Sequence, residues 1–92
     1  MESYKILISG KVQHVYYRKF VAQALQKLQI QGYIRNLPNG TVEMVARIYD
    51  DAYDRVIQIV NVGSPLSEVT DVSISILEDD DLIYDGFEIR TV

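Results

Sequence analysis

Residues 4–48 read YKILISGKVQHVYYRKFVAQALQKLQIQGYIRNLPNGTVEMVARI, and the order of the patterns inside this stretch decides the fold. Tyr4, Ile6 and Ile8 share one face while Lys5 and Ser9 take the other, so period-two alternation predicts a half-buried strand over residues 4–9. From 17 to 29 the apolar set is Tyr17, Phe20, Val21, Ala24, Leu25 and Leu28, spaced by three and four, with Lys19, Gln23, Gln26 and Lys27 opposite. That period predicts an amphipathic helix. Gly32 opens a short second strand over 33–37, and Pro38-Asn39-Gly40 reads as a tight turn into a third, since Asn-Gly tolerates positive φ. In the third strand Val42, Met44, Ala46 and Ile48 face inward, and Thr41, Glu43, Val45 and Arg47 are expected on the outside.

Beyond this hairpin, Asp50 or Asp51 is expected to cap a second helix whose inward positions are Ala52, Val56, Ile59 and Val60, with Gly63 and Pro65 as its stop. Val72, Ile74 and Ile76 alternate with Asp71, Ser73 and Ser75 as a fourth strand. Phe87 and Ile89 alternate with Glu88 and Arg90 as a short fifth. The order βαββαβ plus one strand predicts an α+β chain of the ferredoxin-like split βαβ plan, an antiparallel sheet with two helices on one face. A chain of 92 residues suits one domain over 1–92 and is short for two, because domains usually need roughly 100 to 150 residues.

The composition excludes several functional classes. Without cysteine there is no disulfide framework and no thiolate metal site, which fits a reducing compartment. No apolar run reaches the roughly 18 residues of a membrane span, so a cytoplasmic protein without a membrane partner is expected. A net charge of −4 argues against broad nucleic-acid binding, whose affinity comes largely from Lys and Arg neutralising phosphates. The acidic run Glu78, Asp79, Asp80 and Asp81 reads as a solvated loop and not as a metal site.

Chemistry concentrates between the first strand and the first helix, in Gly10-Lys11-Val12-Gln13-His14-Val15-Tyr16-Tyr17-Arg18. No Ser, Thr, Asp or Asn caps the helix, and Arg18 and Lys19 sit where the helix dipole is already positive. An anion reverses the sign of both penalties, because free amides and a guanidinium at a helix start make a phosphate cradle. Taken alone, Arg18 reads as a solvated cation and Asn36 as a strand-end residue; topology brings them together. In a split βαβ unit the first two strands run parallel, so the loop after the first and the end of the second lie at one edge of the sheet. Asn36 shares the parity of Ile34, placing it on the side from which Arg18 projects. Neither residue is a nucleophile or general base, so the simplest reaction is attack by water on a phosphoryl group with a good leaving group.

Two segments then carry a resemblance. Gly10-Lys11-Val12-Gln13, Val15, Tyr17 and Arg18 match the acylphosphatase signature G-x-V-Q-G-V-x-F-R, and Gly32-Tyr33-Ile34-Arg35-Asn36-Leu37-Pro38-Asn39-Gly40-Thr41-Val42-Glu43 is similar to that family's G-[WY]-V-x-N-x-x-D-G-x-V-E segment. Gly63-Ser64-Pro65 after the second helix is also familiar from the family, so the resemblance spans essentially the whole chain. It implies a monomeric enzyme that hydrolyses a small acyl phosphate to a carboxylate and inorganic phosphate with no metal and no organic cofactor. It places the phosphate-binding loop at Gln13, His14, Val15, Tyr16, Tyr17 and Arg18, with Arg18 holding phosphate and Asn36 orienting water.

Departures fall inside that loop. His14 stands where the family has Gly, Tyr16 where a small residue is common, and Tyr17 where Phe is usual. His14 reads as a loop substitution that must tolerate left-handed geometry, with a general acid for the leaving carboxylate as the competing reading. Tyr16 and Tyr17 read as packing residues. Two alternatives to the enzyme stay open: an anion-binding relative whose altered loop has lost catalysis, and an RNA-binding module. The module requires stacking aromatics on an open sheet face, where the third strand instead offers Thr41, Glu43, Val45 and Arg47.

Overall fold

Each apolar pattern becomes one element, and the elements follow as β1 (Glu2–Lys11), α1 (Tyr17–Lys27), β2 (Gln31–Asn36), β3 (Val42–Ile48), a 3-10 turn (Asp50–Ala52), α2 (Tyr53–Val62), β4 (Glu68–Leu77) and β5 (Phe87–Arg90). The computed structural model describes residues 2–78 and 86–90, so Asp79, Asp80 and Asp81 of the expected acidic loop lie outside the described residues. The strands form one sheet in the order β4-β1-β3-β2-β5. β3 pairs antiparallel with both β1 and β2, so β1 and β2 run the same way and the split βαβ plan is as expected. One feature of the sheet differs from the sequence reading: β5 adds to β2 in parallel, Ile34 opposite Ile89, which makes the sheet mixed.

Register sorts the faces. Ile8, Val42 and Asn36 lie in one cross-strand row and Ile6, Met44 and Ile34 in the next, and the apolar members are fully buried beneath the helices. Val21, Leu25, Val56 and Val60 complete this core from α1 and α2. Phe20 was expected among them but is 45% exposed, because the buried stripe of α1 runs through Tyr17, Val21, Ala22 and Leu25.

The opposite face of β3 is also covered, contrary to the expected polar outside. β3 is the central strand, and side chains from both neighbours fold over it. Val45 and Glu43 are buried, the latter beneath Arg35, whose Nε donates to its carboxylate at 2.9 Å, and Lys5 at 3.8 Å. The edge strand β4 has the reverse fate: Ile74 and Ile76 share the row of Ile6 and Tyr4 yet remain exposed, since an edge has a neighbour on one side only.

The second helix starts differently from the prediction. Asp50 and Asp51 lie within the 3-10 turn, and neither it nor α2 has a side-chain cap, so the expected Asp cap is absent. Its end is as expected, with Gly63 at φ 63° directly after Val62. At the other end of the core a bulge between Ser9 and Gly10 releases β1 into the loop that leads to α1. Gly10 takes φ 123°, and a Cβ there would come within 2.1 Å of the Glu68 carbonyl oxygen.

Candidate active site

The loop from Val12 to Tyr16 ends in an unusual helix start. Tyr16 is the N-cap in the left-handed region, φ 63° and ψ 18°, with no side-chain cap and no acidic residue in the first turn. Phe20 N donates to Tyr16 O at 3.1 Å, which leaves the amides of Tyr17, Arg18 and Lys19 without an intrahelical acceptor at the positive end of the dipole. His14 is left-handed as well, at φ 62°, so this histidine adopts the geometry that glycine ordinarily supplies. Anion-binding nests pair a right-handed residue with a left-handed one, and His14 and Tyr16 supply two left-handed positions in this loop.

Three tethers fix this loop to the rest of the fold. Val15 is buried, and the Ser64 hydroxyl donates to its carbonyl at 2.5 Å. Tyr17 is buried as expected, its hydroxyl donating to Val60 O at 2.6 Å, and its ring lies where a Cβ on Gly63 would approach within 2.7 Å. Burial pushes the Tyr17 phenol well above the ordinary value of 10, which keeps the proton it donates. Gln13 supplies the third tether: its Nε2 donates to Leu37 O at 2.9 Å and to Thr41 O at 2.8 Å, the two residues flanking the β2–β3 turn.

These tethers shape a cavity of about 410 Å³ lined by Val12, His14, Tyr16, Tyr17, Arg18, Lys19, Asn36 and Ile89. Arg18 and Asn36 therefore meet in one place. Arg18 Nη1 donates to Arg90 O at 3.2 Å, which links its guanidinium to β5. Asn36 Oδ1 is buried without a hydrogen-bond partner, an unsatisfied acceptor on a residue that lines the cavity. The positive end of α1, Arg18 and Lys19 all border this cavity, and among the described residues no Asp or Glu lines it. Among the described residues no group of three His, Cys, Asp or Glu converges as a metal site would require.

The expected loop residues separate into two groups. His14, Tyr16, Tyr17 and Arg18 line the cavity; Gln13 and Val15 do not, because the first turns its side chain to the hairpin and the second turns into the core. Tyr16 is 65% exposed, so it borders the cavity mouth and is not the packing residue the sequence suggested. Lys19 was read only as a second cation at the helix start, and Ile89 only as one face of a terminal strand. The latter reaches the site because β5 is parallel to β2, a pairing no local pattern encodes. Ser64 had a signal in the Gly63-Ser64-Pro65 segment, without the partner that gives it a role.

The acylphosphatase family model matches residues 4–89. The chain is 39% identical to an acylphosphatase of Haloquadratum walsbyi, covering 92% of this chain and 89% of that one. It is 34% identical to an acylphosphatase of Methanocella arvoryzae, covering 98% and 100% of the two chains. The crystal structure of acylphosphatase from Bacillus subtilis superposes with a TM-score of 0.90 at 32% identity, over 98% of this chain and 99% of that one. Sequence, fold and the position of the cavity thus lead to one assignment: the chain belongs to the acylphosphatase family.

Proposed function

We propose that the cavity between α1 and the end of β2 is the active site of an acyl phosphate hydrolase, in which Arg18 and the amides of the loop from Gln13 to Arg18 bind the phosphoryl group and Asn36 orients water. The observation that carries this reading is that Asn36, whose buried Oδ1 lacks a partner, lines the same cavity as Arg18 and the uncapped start of α1. Water held by that oxygen attacks phosphorus opposite the acyl oxygen. The P–O bond to the acyl group breaks, its electron pair leaves on the carboxylate, and the proton lost by water passes to the phosphate product or to solvent. A carboxylate is a good leaving group, so little protonation is needed, and the protein contributes position and positive charge. The charge developing on the phosphoryl oxygens meets a guanidinium and free amides that need no reorganisation. The acyl part extends toward Tyr16 and Ile89 at the mouth. The reading carries with it a monomer that acts in the cytoplasm on a small acyl phosphate, releases inorganic phosphate and has no nucleic-acid or membrane partner.

Hydrolysis of benzoyl phosphate by the purified protein tests it. Activity is expected to persist in EDTA, and activity abolished by EDTA and restored by a divalent ion would refute metal independence. Arg18→Gln should weaken inhibition by inorganic phosphate and slow turnover together. Asn36→Ala should keep phosphate inhibition nearly intact while kcat falls by a factor on the order of 100. Near-normal kcat in Asn36→Ala would mean that something else orients the water. A protein that binds phosphate but hydrolyses nothing would be an anion-binding relative.

A further inference from the structure

Gln13 does not face the cavity, yet its side chain makes two hydrogen bonds across the gap between the loop and the β2–β3 hairpin. Both accepting carbonyls already serve the turn: Leu37 N donates to Thr41 O at 2.9 Å, and Gly40 N donates to Leu37 O at 3.1 Å. The Gln13 amide nitrogen therefore closes the mouth of the hairpin from outside with its two hydrogens, one to each carbonyl. Leu37 directly follows Asn36, and Gln13 directly precedes His14 of the cavity wall. Asn36 Oδ1 has no partner of its own, so the backbone beneath it governs where that oxygen sits. Asn36 is also the last residue of β2 in register with β3, opposite Val42, and past it the hairpin is tied by the Leu37 N–Thr41 O bond and by the Gln13 pair.

We infer that Gln13 is a positioning residue, which sets the distance between the phosphate-binding loop and Asn36 Oδ1 through its paired bonds to the Leu37 and Thr41 carbonyls. The inference rests on the proposed role of Asn36 and assigns the Gln13 side chain, as distinct from its backbone amide, no contact with substrate. Its chemistry is specific. Glutamate offers no donor to the two carbonyls, and methionine fills similar volume with neither hydrogen. Releasing the hairpin mouth lets the water-orienting oxygen drift relative to the bound phosphoryl group, and a misplacement of about 1 Å can cost about 100-fold in rate.

The test is a double-mutant cycle on benzoyl phosphate hydrolysis with Gln13→Met, Asn36→Ala and both together, with kcat and the inhibition constant of inorganic phosphate measured and rates normalised to the folded fraction. Gln13→Ala serves as a second variant if the methionine packs poorly. Gln13→Met should lower kcat by about tenfold or more and leave phosphate inhibition within about threefold. In the Asn36→Ala background the same change should cost less than about twofold, because the group it positions is gone. A residue that only stabilised the fold would instead lower Tm and leave the normalised kcat unchanged in both backgrounds, which overturns the inference. Equal losses of kcat with and without Asn36 also overturn it. If Asn36→Ala alone turns over normally, the role of Asn36 falls and this inference with it. If Asn36→Ala is slow but both Gln13 variants are normal, the inference alone fails.

Discussion

At His14 a side chain occupies a left-handed position, φ 62°, on the wall of the cavity proposed to hold phosphate. Such geometry costs a non-glycine residue about 1 kcal/mol or more, whereas glycine gives back up to about 1 kcal/mol through the freedom of its unfolded chain. His14→Gly should therefore change stability little. Removing the imidazole should open the cavity to the loop amides, giving equal or tighter phosphate inhibition with no loss of kcat. Measuring kcat between about pH 5 and pH 8 for both proteins separates this from general-acid catalysis, which requires a large fall in kcat and the loss of one limb of the profile. The strain at His14 was legible in the sequence, because the family pattern demands glycine there. Gln13 was legible as a residue type and not as a direction: its partners are backbone carbonyls 24 and 28 residues away, and no side-chain pattern marks a carbonyl.

Among the elements, the loop before α1 depends on the segment after α2. Ser64 is buried, and its hydroxyl is the donor to the Val15 carbonyl, so Ser64→Ala leaves that acceptor without its bond. The expected cost is about 1 to 3 kcal/mol, with Tm falling by about 4 to 8 °C per kcal/mol in a domain of this size. Phosphate inhibition should weaken as well, because the peptide that follows Val15 is part of the proposed cradle. An unchanged Tm would show that the hydroxyl contributes nothing there. Element type was readable throughout from periods of two and near four, while neighbours were not. Glu43 and Val45 were expected outside because alternation reports two faces without saying that a central strand has both covered. Ile74 and Ile76 form the apolar side of the fourth strand's alternation yet stay exposed for the complementary reason, on a strand that proves to be an edge. The 3-10 turn at Asp50–Ala52 replaced the predicted aspartate cap, since an aspartate in the first turn gains from the dipole without bonding an amide.

Across the whole molecule, a net charge of −4 coexists with a cavity bordered by Arg18 and Lys19 and, among the described residues, by no acid, so the local field of these residues is opposite to the global one. On the face away from the helices the balance centres on Glu43. Burial alone would raise its carboxyl, but hydrogen bonds from Arg35 and Tyr33 and the charges of Arg35 and Lys5 outweigh it and hold the pKa below the ordinary 4.5. A carboxyl depressed by folding stabilises above its unfolded value and loses that contribution as pH falls through the folded one. Tm should therefore drop on the acid side of 4.5. Glu43→Gln should lower Tm at neutral pH and flatten the acid limb, and parallel acid limbs in the two proteins would remove Glu43 from the explanation. The sheet order also has a consequence in time. β1 is flanked by β3 and β4, both of which follow it in the chain, and Lys5 and its partner Ser75 are 70 residues apart. At synthesis rates of about 5 to 20 residues per second, β1 leaves the ribosome roughly 4 to 14 s before β4 can close its second side. The strand that later anchors the loop before α1 spends that interval with the hydrogen-bonding groups of one edge unpaired, and this is the period in which a chaperone or a neighbouring nascent chain has most to grip.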